Sequence, residues 1–148
     1  MPKDNNDINE LEILKAQYAR FADAVFRTSG SSAASLALVD LFTNDGVLDL
    51  GPFGRYSGRT ELLNAFQNIL PAGTAWSTHY IVSPIIQVDD RHADSATGDW
   101  YFLISMVAKT PPHSPVVTIN GGYRDIYKKV GGRWKIKQSI SLFFTPPT

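Results

Sequence analysis

Four segments rich in β-branched and aromatic residues fill the second half of the chain and constrain its fold more than any other feature. They span residues 76–89, 93–108, 116–130 and 133–144. Only short turn-forming sequences separate them, with Gly131-Gly132 before the last segment. Long strands that are joined by short connections pair with antiparallel neighbours. The sequence therefore predicts an antiparallel meander of long strands.

The first half of the chain shows a helical pattern instead. Apolar residues recur at steps of three or four between Ile8 and Val25, which is the stripe of an amphipathic helix. Asp7 and Glu10 have the spacing of a capping box at its start. Residues 1–6 are then predicted to form a flexible N-terminus.

Two more helices and two short strands are predicted before the meander. Ser31 or Ser32 is a candidate cap for a second helix that runs through Phe42. Short strands are predicted at residues 47–50 and 55–56. A third helix is predicted from Thr60 until Pro71 ends it. Its inward residues are predicted to be Leu62, Leu63, Phe66 and Ile69.

Length and composition limit the class of protein. The 148 residues fit one α+β domain, predicted to span residues 1–148, with helices packed against a strongly curved sheet. Fourteen basic residues balance fourteen acidic ones, which argues against a nucleic-acid partner. No run approaches the ~20 apolar residues of a membrane span, and no apolar signal core is evident. We therefore expect a cytoplasmic protein with no membrane partner. The absence of cysteine excludes disulfides and thiolate metal sites.

The alternation of side chains along the strands predicts that both faces of the sheet are covered by other parts of the protein or by a second subunit. Trp100, Phe102 and Ile104 share one face of their strand, while Tyr101 and Leu103 share the other. Both faces are largely apolar, so we expect the outer face to form a homo-oligomer, a dimer or a trimer. In the last strand, one face is predicted to carry Trp134, Ile136, Gln138, Ile140 and Leu142. The wetter face is predicted to carry Lys135, Lys137, Ser139 and Ser141.

Few residues have the setting that catalysis requires. His79 lies within a strand beside Ile81, whereas His92 and His113 fall in polar or proline-rich loops. No residue has metal-ligand spacing to His79, so we predict no metal site. Asp23 lies among apolar neighbours, about 140° round the helix from Tyr18. Asp23 therefore either faces solvent or leans over the rim of a cavity that Tyr18 also reaches.

Several short motifs carry a resemblance along nearly the whole chain. Their order and spacing resemble the SnoaL-like branch of the nuclear transport factor 2-like superfamily. The motifs are Tyr18-Ala19-Arg20-Phe21-Ala22-Asp23, Leu41-Phe42-Thr43-Asn44-Asp45-Gly46, Ser57-Gly58-Arg59-Thr60-Glu61-Leu62, Thr78-His79-Tyr80, Thr97-Gly98-Asp99-Trp100-Tyr101, Asn120-Gly121-Gly122-Tyr123 and Gly132-Arg133-Trp134-Lys135-Ile136. The resemblance implies a cone-shaped antiparallel sheet wrapped around a pocket, with three helices from the first half of the chain.

The functional pattern within that superfamily resembles the bile-acid 7α-dehydratases and, more distantly, the scytalone dehydratases and a hexachlorocyclohexane dehydrochlorinase. Tyr18, Asp23 and His79 match the tyrosine, acid and strand histidine of the bile-acid enzymes. Phe26 and Val130 stand where the dehydrochlorinase has a carboxylate and an arginine, and Ile104 replaces a further carboxylate of the bile-acid enzymes. These departures count against halide elimination and bile-acid specificity.

The resemblance implies a cofactor-independent dehydratase or isomerase that acts on a small hydrophobic carbonyl compound, polycyclic or aromatic. His79 would be the base, Asp23 would orient it, and Tyr18 would be the proton donor. Alternatives are a non-catalytic subunit like the β subunit of ring-hydroxylating dioxygenases, or a polyketide-cyclase-like enzyme. The predicted ligand-binding wall consists of Trp76, Trp100, Phe102, Ile104, Tyr123, Ile140 and Phe143.

Overall fold

A computed structural model describes residues 5–144 of the chain, which fold into helices on one side of a curved sheet. The helical segments are α1 (Asn5–Arg27), α2 (Ser32–Val39), α3 (Arg59–Asn64) and α4 (Leu70–Gly73), with a π-helical turn (Ala65–Ile69) that joins the last two into one continuous helix. The strands are β1 (Phe42–Asp49), β2 (Arg55–Ser57), β3 (Thr74–Val88), β4 (Ser95–Ala108), β5 (Val116–Val130) and β6 (Arg133–Phe143). The predicted α+β class is confirmed.

The six strands form a single sheet in the order β2-β1-β6-β5-β4-β3. The four long strands β3 to β6 pair antiparallel with their sequence neighbours, as the short connections predict. Strand β1 instead runs parallel to β6, and the long connection that a parallel pair requires is made by the third helix and strands β3 to β5. The sheet is therefore mixed, and the prediction of a wholly antiparallel sheet is corrected at this pair.

Helix α1 lies along the sheet, and its apolar stripe is buried against the inner sheet face. Leu11, Tyr18 and Val25 are almost fully inaccessible to solvent. The helix begins earlier than predicted, so Asn5 and Asn6 belong to it, while residues 1–4 of the predicted flexible segment lie outside the described residues. The predicted capping box is wrong, because the Asp7 carboxylate accepts hydrogen bonds from Trp134 Nε1 and Lys129 Nζ instead.

The second helix is capped as predicted but ends sooner. Ser31 Oγ accepts a hydrogen bond from the backbone N–H of Ala34. The helix stops at Val39, and Phe42 begins β1 rather than continuing the helix. Phe42 is nevertheless buried in the core.

The third helix continues past its predicted end. Pro71 lies just after the π-helical turn and does not end the helix, which runs on to Gly73. Leu62 and Phe66 are buried as predicted. Ile69 is 46% exposed. It is the last residue of the π-helical turn, which rotates it away from the face that carries Leu62 and Phe66.

An irregularity in β6 reverses which residues face inward. The pairing with β5 skips Lys137, since Tyr127 pairs with Ile136 and Ile126 pairs with Gln138. An extra residue in one strand flips every following side chain to the other face. Trp134 and Ile136 are therefore buried before the bulge, and Ser139 and Ser141 are buried after it. The predicted faces hold for the first part of β6 and are wrong for the second.

The outer face of the sheet remains open in the single chain. Tyr101 is 58% exposed and Leu103 is 41% exposed, whereas Trp100 and Phe102 on the opposite face are buried. No helix in residues 5–144 is both long enough and apolar enough to cross a membrane.

Candidate active site

The site is built on a buried contact between α1 and β3. Asp23 Oδ1 lies 2.6 Å from Nδ1 of His79, and both side chains are less than a tenth exposed. Ser77 Oγ donates a hydrogen bond to the same oxygen of Asp23 over 2.7 Å. The backbone N–H of His79 donates to Asp23 Oδ2 over 3.2 Å. Three donors therefore hold the carboxylate, and Asp23 does not face solvent.

These contacts fix the orientation of the imidazole ring. A carboxylate that accepts from Nδ1–H places the single proton of a neutral imidazole on Nδ1. Nε2 then carries the lone pair, and no hydrogen-bond partner for it is found within residues 5–144. His79 lines the interior cavity. The arrangement is suited to removing a proton from a bound ligand.

Tyr18 approaches the same imidazole from the interior. Its ring lies edge-on to that of His79, with the ring centroids 6.4 Å apart. Burial raises the pKa of the Tyr18 phenol well above its usual value, and the charge of Asp125 adds to that rise. A hydrogen bond with Tyr123 acts in the opposite direction and is the smaller effect. Tyr18 therefore stays protonated and is able to donate a hydrogen bond.

Tyr18, Asp23 and His79 are thus close together, although the first two leave α1 in directions about 140° apart. Asp23 reaches the edge of β3, while Tyr18 points under the sheet. Ser77 is the fourth member of this cluster. The sequence analysis missed it, although its position two residues before His79 on the same strand face was a signal for it.

A largely apolar cavity of about 80 Å³ lies between the helices and the inner sheet face. Its polar groups come from Tyr18, Tyr123, His79, Ser77, Ser141 and Thr74, and the remainder of its wall is apolar. Phe53 and Phe143 contact each other edge-on at this wall, with ring centroids 5.9 Å apart. The cavity suits a small apolar ligand with few polar atoms.

The predicted wall is only partly the wall of this cavity. Four of the seven predicted residues line it, namely Phe102, Ile104, Tyr123 and Phe143. Trp76 does not, because it precedes Ser77 on β3 and so lies on the opposite face. Trp100 is buried away from the cavity, where its Nε1 donates to Tyr127 Oη. Ile140 is turned outward by the bulge in β6, which brings Ser141 into the wall instead.

A buried ion pair lies behind the site, and the sequence analysis missed it. Lys15 Nζ is 2.7 Å from Asp125 Oδ2, and both side chains are wholly inaccessible to solvent. The ammonium also lies 3.8 Å from the ring centroid of Tyr123 and 4.4 Å from that of Tyr18. A charged residue on each buried face was the signal: Lys15 falls on the apolar stripe of α1, and Asp125 alternates with Tyr123 in β5.

Other kinds of site find less support in the geometry. Within the described residues, no group of three or more His, Asp or Glu side chains is placed to hold a metal ion. His92 and His113 are exposed in their loops. On its outer side, the Asp23–His79 pair borders a larger and more open groove, which Arg20 and Arg27 of α1 also line.

Comparison with solved structures places the fold. A protein from Novosphingobium aromaticivorans, classed provisionally as an aromatic ring hydroxylase, is 25% identical with a TM-score of 0.81. That match covers 97% of this chain and 93% of the other. A second protein from Novosphingobium aromaticivorans, classed provisionally as a scytalone dehydratase, is 19% identical with a TM-score of 0.77 and coverages of 94% and 85%. A type 2 hexachlorocyclohexane dehydrochlorinase is 17% identical with a TM-score of 0.68 and coverages of 91% and 89%.

Comparison with curated proteins gives no significant match. The sequence of residues 4–139, by contrast, matches the SnoaL-like domain. The similar structures include a protein described as nuclear transport factor 2-like, with a TM-score of 0.73. The matched residues contain all of the described helices, all of β1 to β5 and most of β6. The chain therefore belongs to the SnoaL-like domain family.

Proposed function

We propose that this chain is a cofactor-independent lyase or isomerase that acts on a small hydrophobic carbonyl compound, with His79 as its base. The observation that carries the proposal is the 2.6 Å contact of His79 Nδ1 with the buried Asp23 carboxylate, at the wall of an apolar cavity. An imidazole that is oriented in this way and lines an apolar cavity has the arrangement of a general base.

The reaction that fits these groups is an elimination next to a carbonyl. His79 Nε2 takes a proton from a carbon that the carbonyl acidifies, and the C–H electron pair becomes the new C=C bond. The hydroxyl on the adjacent carbon leaves with a proton, as water. Tyr18 donates a hydrogen bond to the oxygen on which negative charge develops. The imidazolium returns its proton to the leaving hydroxyl or, in an isomerisation, to a different carbon.

Asp23 supports the base without touching the substrate. Its carboxylate holds the Nδ1–H and stabilises the imidazolium as it forms. General acid–base catalysis of this kind contributes roughly 10²–10⁴-fold, and an aligned oxyanion donor contributes about 10²–10³-fold. These contributions suit a substrate whose C–H bond is already activated.

The size and lining of the cavity support a small, flat substrate. A cavity of about 80 Å³ accommodates one ring or a short apolar segment beside His79. A larger substrate would extend toward Phe53, which is 40% exposed. The similar proteins classed as a scytalone dehydratase and a hexachlorocyclohexane dehydrochlorinase are consistent with elimination chemistry on this fold.

The alternative of a non-catalytic scaffold has less support. A scaffold role would be favoured by an Asp23 turned to solvent and by a pocket filled with Trp100 and Phe102. Asp23 is instead 6% exposed and hydrogen-bonded to His79, and Trp100 packs away from the cavity. A polyketide-cyclase-like activity would use the same groups and differs only in substrate.

The test is turnover of a panel of hydroxylated cyclic enones by the wild-type chain, followed by the absorbance of the extended conjugation. We expect turnover that His79→Ala reduces by at least about 100-fold, because the base is removed. His92→Ala is the matched control, since His92 is exposed on a turn, and it should retain full activity. Equal turnover by both variants would exclude His79 as the base.

A further inference from the structure

The pair of tyrosines in the cavity wall rests on a buried charge that the proposed reaction does not use. Lys15 Nζ lies over both rings, 4.4 Å from the centroid of Tyr18 and 3.8 Å from that of Tyr123. The two rings also meet each other edge-on, with centroids 5.9 Å apart. Lys15 therefore occupies the angle between the two rings.

The partners of Lys15 anchor it in that position. Its ammonium contacts Asp125 Oδ2 over 2.7 Å and Ser139 Oγ over 3.5 Å. Tyr127 Oη donates to the same carboxylate oxygen over 2.6 Å. Trp100 Nε1 in turn donates to Tyr127 Oη over 2.9 Å. A chain of polar contacts thus connects α1 with β4, β5 and β6 beneath the cavity.

Stability alone is a weak explanation for such a pair. Removing two charges from water is costly, and apolar residues of similar size often stabilise a core at least as well as a buried ion pair does. One oxygen of the pair, Asp125 Oδ1, is also buried with no hydrogen-bond partner. A buried polar group that is incompletely satisfied is a cost that points to a role beyond packing.

Sequence spacing relates the ion pair to the tyrosines. Lys15 is three residues before Tyr18 on α1, which places both on one helix face. Asp125 is two residues after Tyr123 on β5, which places both on one strand face. The contact between Lys15 and Asp125 therefore links the two backbone segments that carry the tyrosines.

We propose that Lys15 and Asp125 are positioning residues that hold the rings of Tyr18 and Tyr123 against each other and keep the Tyr18 hydroxyl in the cavity beside His79. The proposal rests on the proposed function only for the role of the Tyr18 hydroxyl as a hydrogen-bond donor to the substrate. The placement of the rings is a property of the chain without substrate.

The experiment compares two ion pairs that tie α1 to the same strand. The test variant is Lys15→Met combined with Asp125→Asn, which removes both charges while the new amide oxygen still accepts from Tyr127. The single variant Lys15→Met leaves a buried carboxylate without its cation, so the double variant is the one that is expected to fold. The control is Asp7→Asn, because Asp7 pairs with Lys129 of β5 over 3.0 Å, away from the tyrosines.

The primary measurement is NMR of ring-labelled tyrosine in the chain without ligand, with Tyr18→Phe and Tyr123→Phe used for assignment. We expect the double variant to lose the Tyr18–Tyr123 cross-peaks while the indole signal of Trp134 is retained. Asp7→Asn should keep the cross-peaks. Retained Tyr18–Tyr123 cross-peaks in the double variant would overturn the proposal, whatever its melting temperature. A merely stabilising pair would lower that temperature and leave the cross-peaks in place.

Kinetics supply a separate arm on any substrate that the wild type turns over. A displaced donor weakens the transition state more than it weakens binding. We expect kcat of the double variant to fall by about tenfold or more, with KM changed less than about twofold. If the wild type turns over no substrate, the proposed function fails. The Tyr18–Tyr123 cross-peaks then still decide the positioning proposal.

Discussion

Asp23 illustrates how one residue combines three local roles. Its carboxylate accepts from Ser77 Oγ, from His79 Nδ1 and from the backbone N–H of His79. A carboxylate has enough lone pairs for all three donors, whereas an amide oxygen has fewer and its nitrogen only donates. The three hydrogen bonds therefore require a carboxylate at this position. Asn has the same shape and tests that requirement directly.

Asp23→Asn is expected to reduce turnover by at least about 100-fold, because the amide no longer holds the tautomer with its lone pair on Nε2. The melting temperature should fall only modestly, since the shape of the side chain is kept. Steady-state kinetics and thermal denaturation measure the two effects.

Ser77→Ala is the matched control for this prediction. It removes one donor to the carboxylate but keeps the contact between Asp23 and His79. We expect a loss of less than about tenfold, in line with the loss of one hydrogen bond. If the Asp23→Asn variant were no slower than the Ser77→Ala variant, the assigned role of Asp23 would be contradicted.

At the scale of elements, periodicity predicts the long strands and the apolar stripe of α1 but not what interrupts them. The bulge at Lys137 follows from pairing with β5, which a single strand sequence does not encode. It exchanges Ile140 for Ser141 in the cavity wall. The Lys15–Asp125 contact is similarly invisible, because its two residues belong to elements 110 positions apart in the chain.

The contact of Asp7 on α1 with Lys129 on β5 and Trp134 on β6 leads to a prediction about stability in acid. Hydrogen bonds from Trp134 and then from Lys129 lower the pKa of Asp7 below 3.8. A folded pKa below the unfolded one stabilises the fold above the unfolded pKa, and that stabilisation is lost as the pH falls through the folded pKa. We expect Asp7→Asn to cost about 1 kcal/mol of unfolding free energy near neutral pH.

That difference should shrink as the pH falls below 3.8, until the two chains become nearly equal in stability. Urea denaturation over a pH series measures it. Glu12→Gln on the exposed side of α1 is the control and should follow the wild type at every pH. A constant offset between Asp7→Asn and wild type down to the most acidic point would show that the Asp7 charge is not involved.

The outer sheet face bears on the whole molecule. Its large exposed apolar side chains extend across β3, β4 and β6, namely Tyr80, Val82, Tyr101, Leu103, Leu142 and Phe144, with Phe144 just beyond the end of β6. Tyr101 and Phe144 contact each other edge-on, with ring centroids 5.8 Å apart. A contiguous apolar surface of this kind is typical of an interface. Homo-oligomer formation through this face, as a dimer or a trimer, remains our prediction.

Tyr101→Lys combined with Leu103→Lys is expected to convert the oligomer to a monomer, because two charges would be buried without partners. Light scattering coupled to size-exclusion chromatography measures the mass. Thr97→Lys, on the same strand and the same face but outside the apolar patch, should leave the mass unchanged. A wild-type chain that is monomeric at high concentration would refute the prediction directly.

One contact in the site also bears on solubility. Strand β3 ends the sheet, and a bare terminal strand invites pairing with another molecule and aggregation. The carboxylate of Asp23 accepts a hydrogen bond from the backbone N–H of His79 on the unpaired side of β3. This N–H is therefore not available to a strand of another molecule. The carboxylate that would orient His79 in the proposed reaction therefore also covers part of this sheet edge. Replacing Asp23 with an apolar residue would remove the hydrogen bond to the His79 ring and leave the backbone N–H of His79 unpaired.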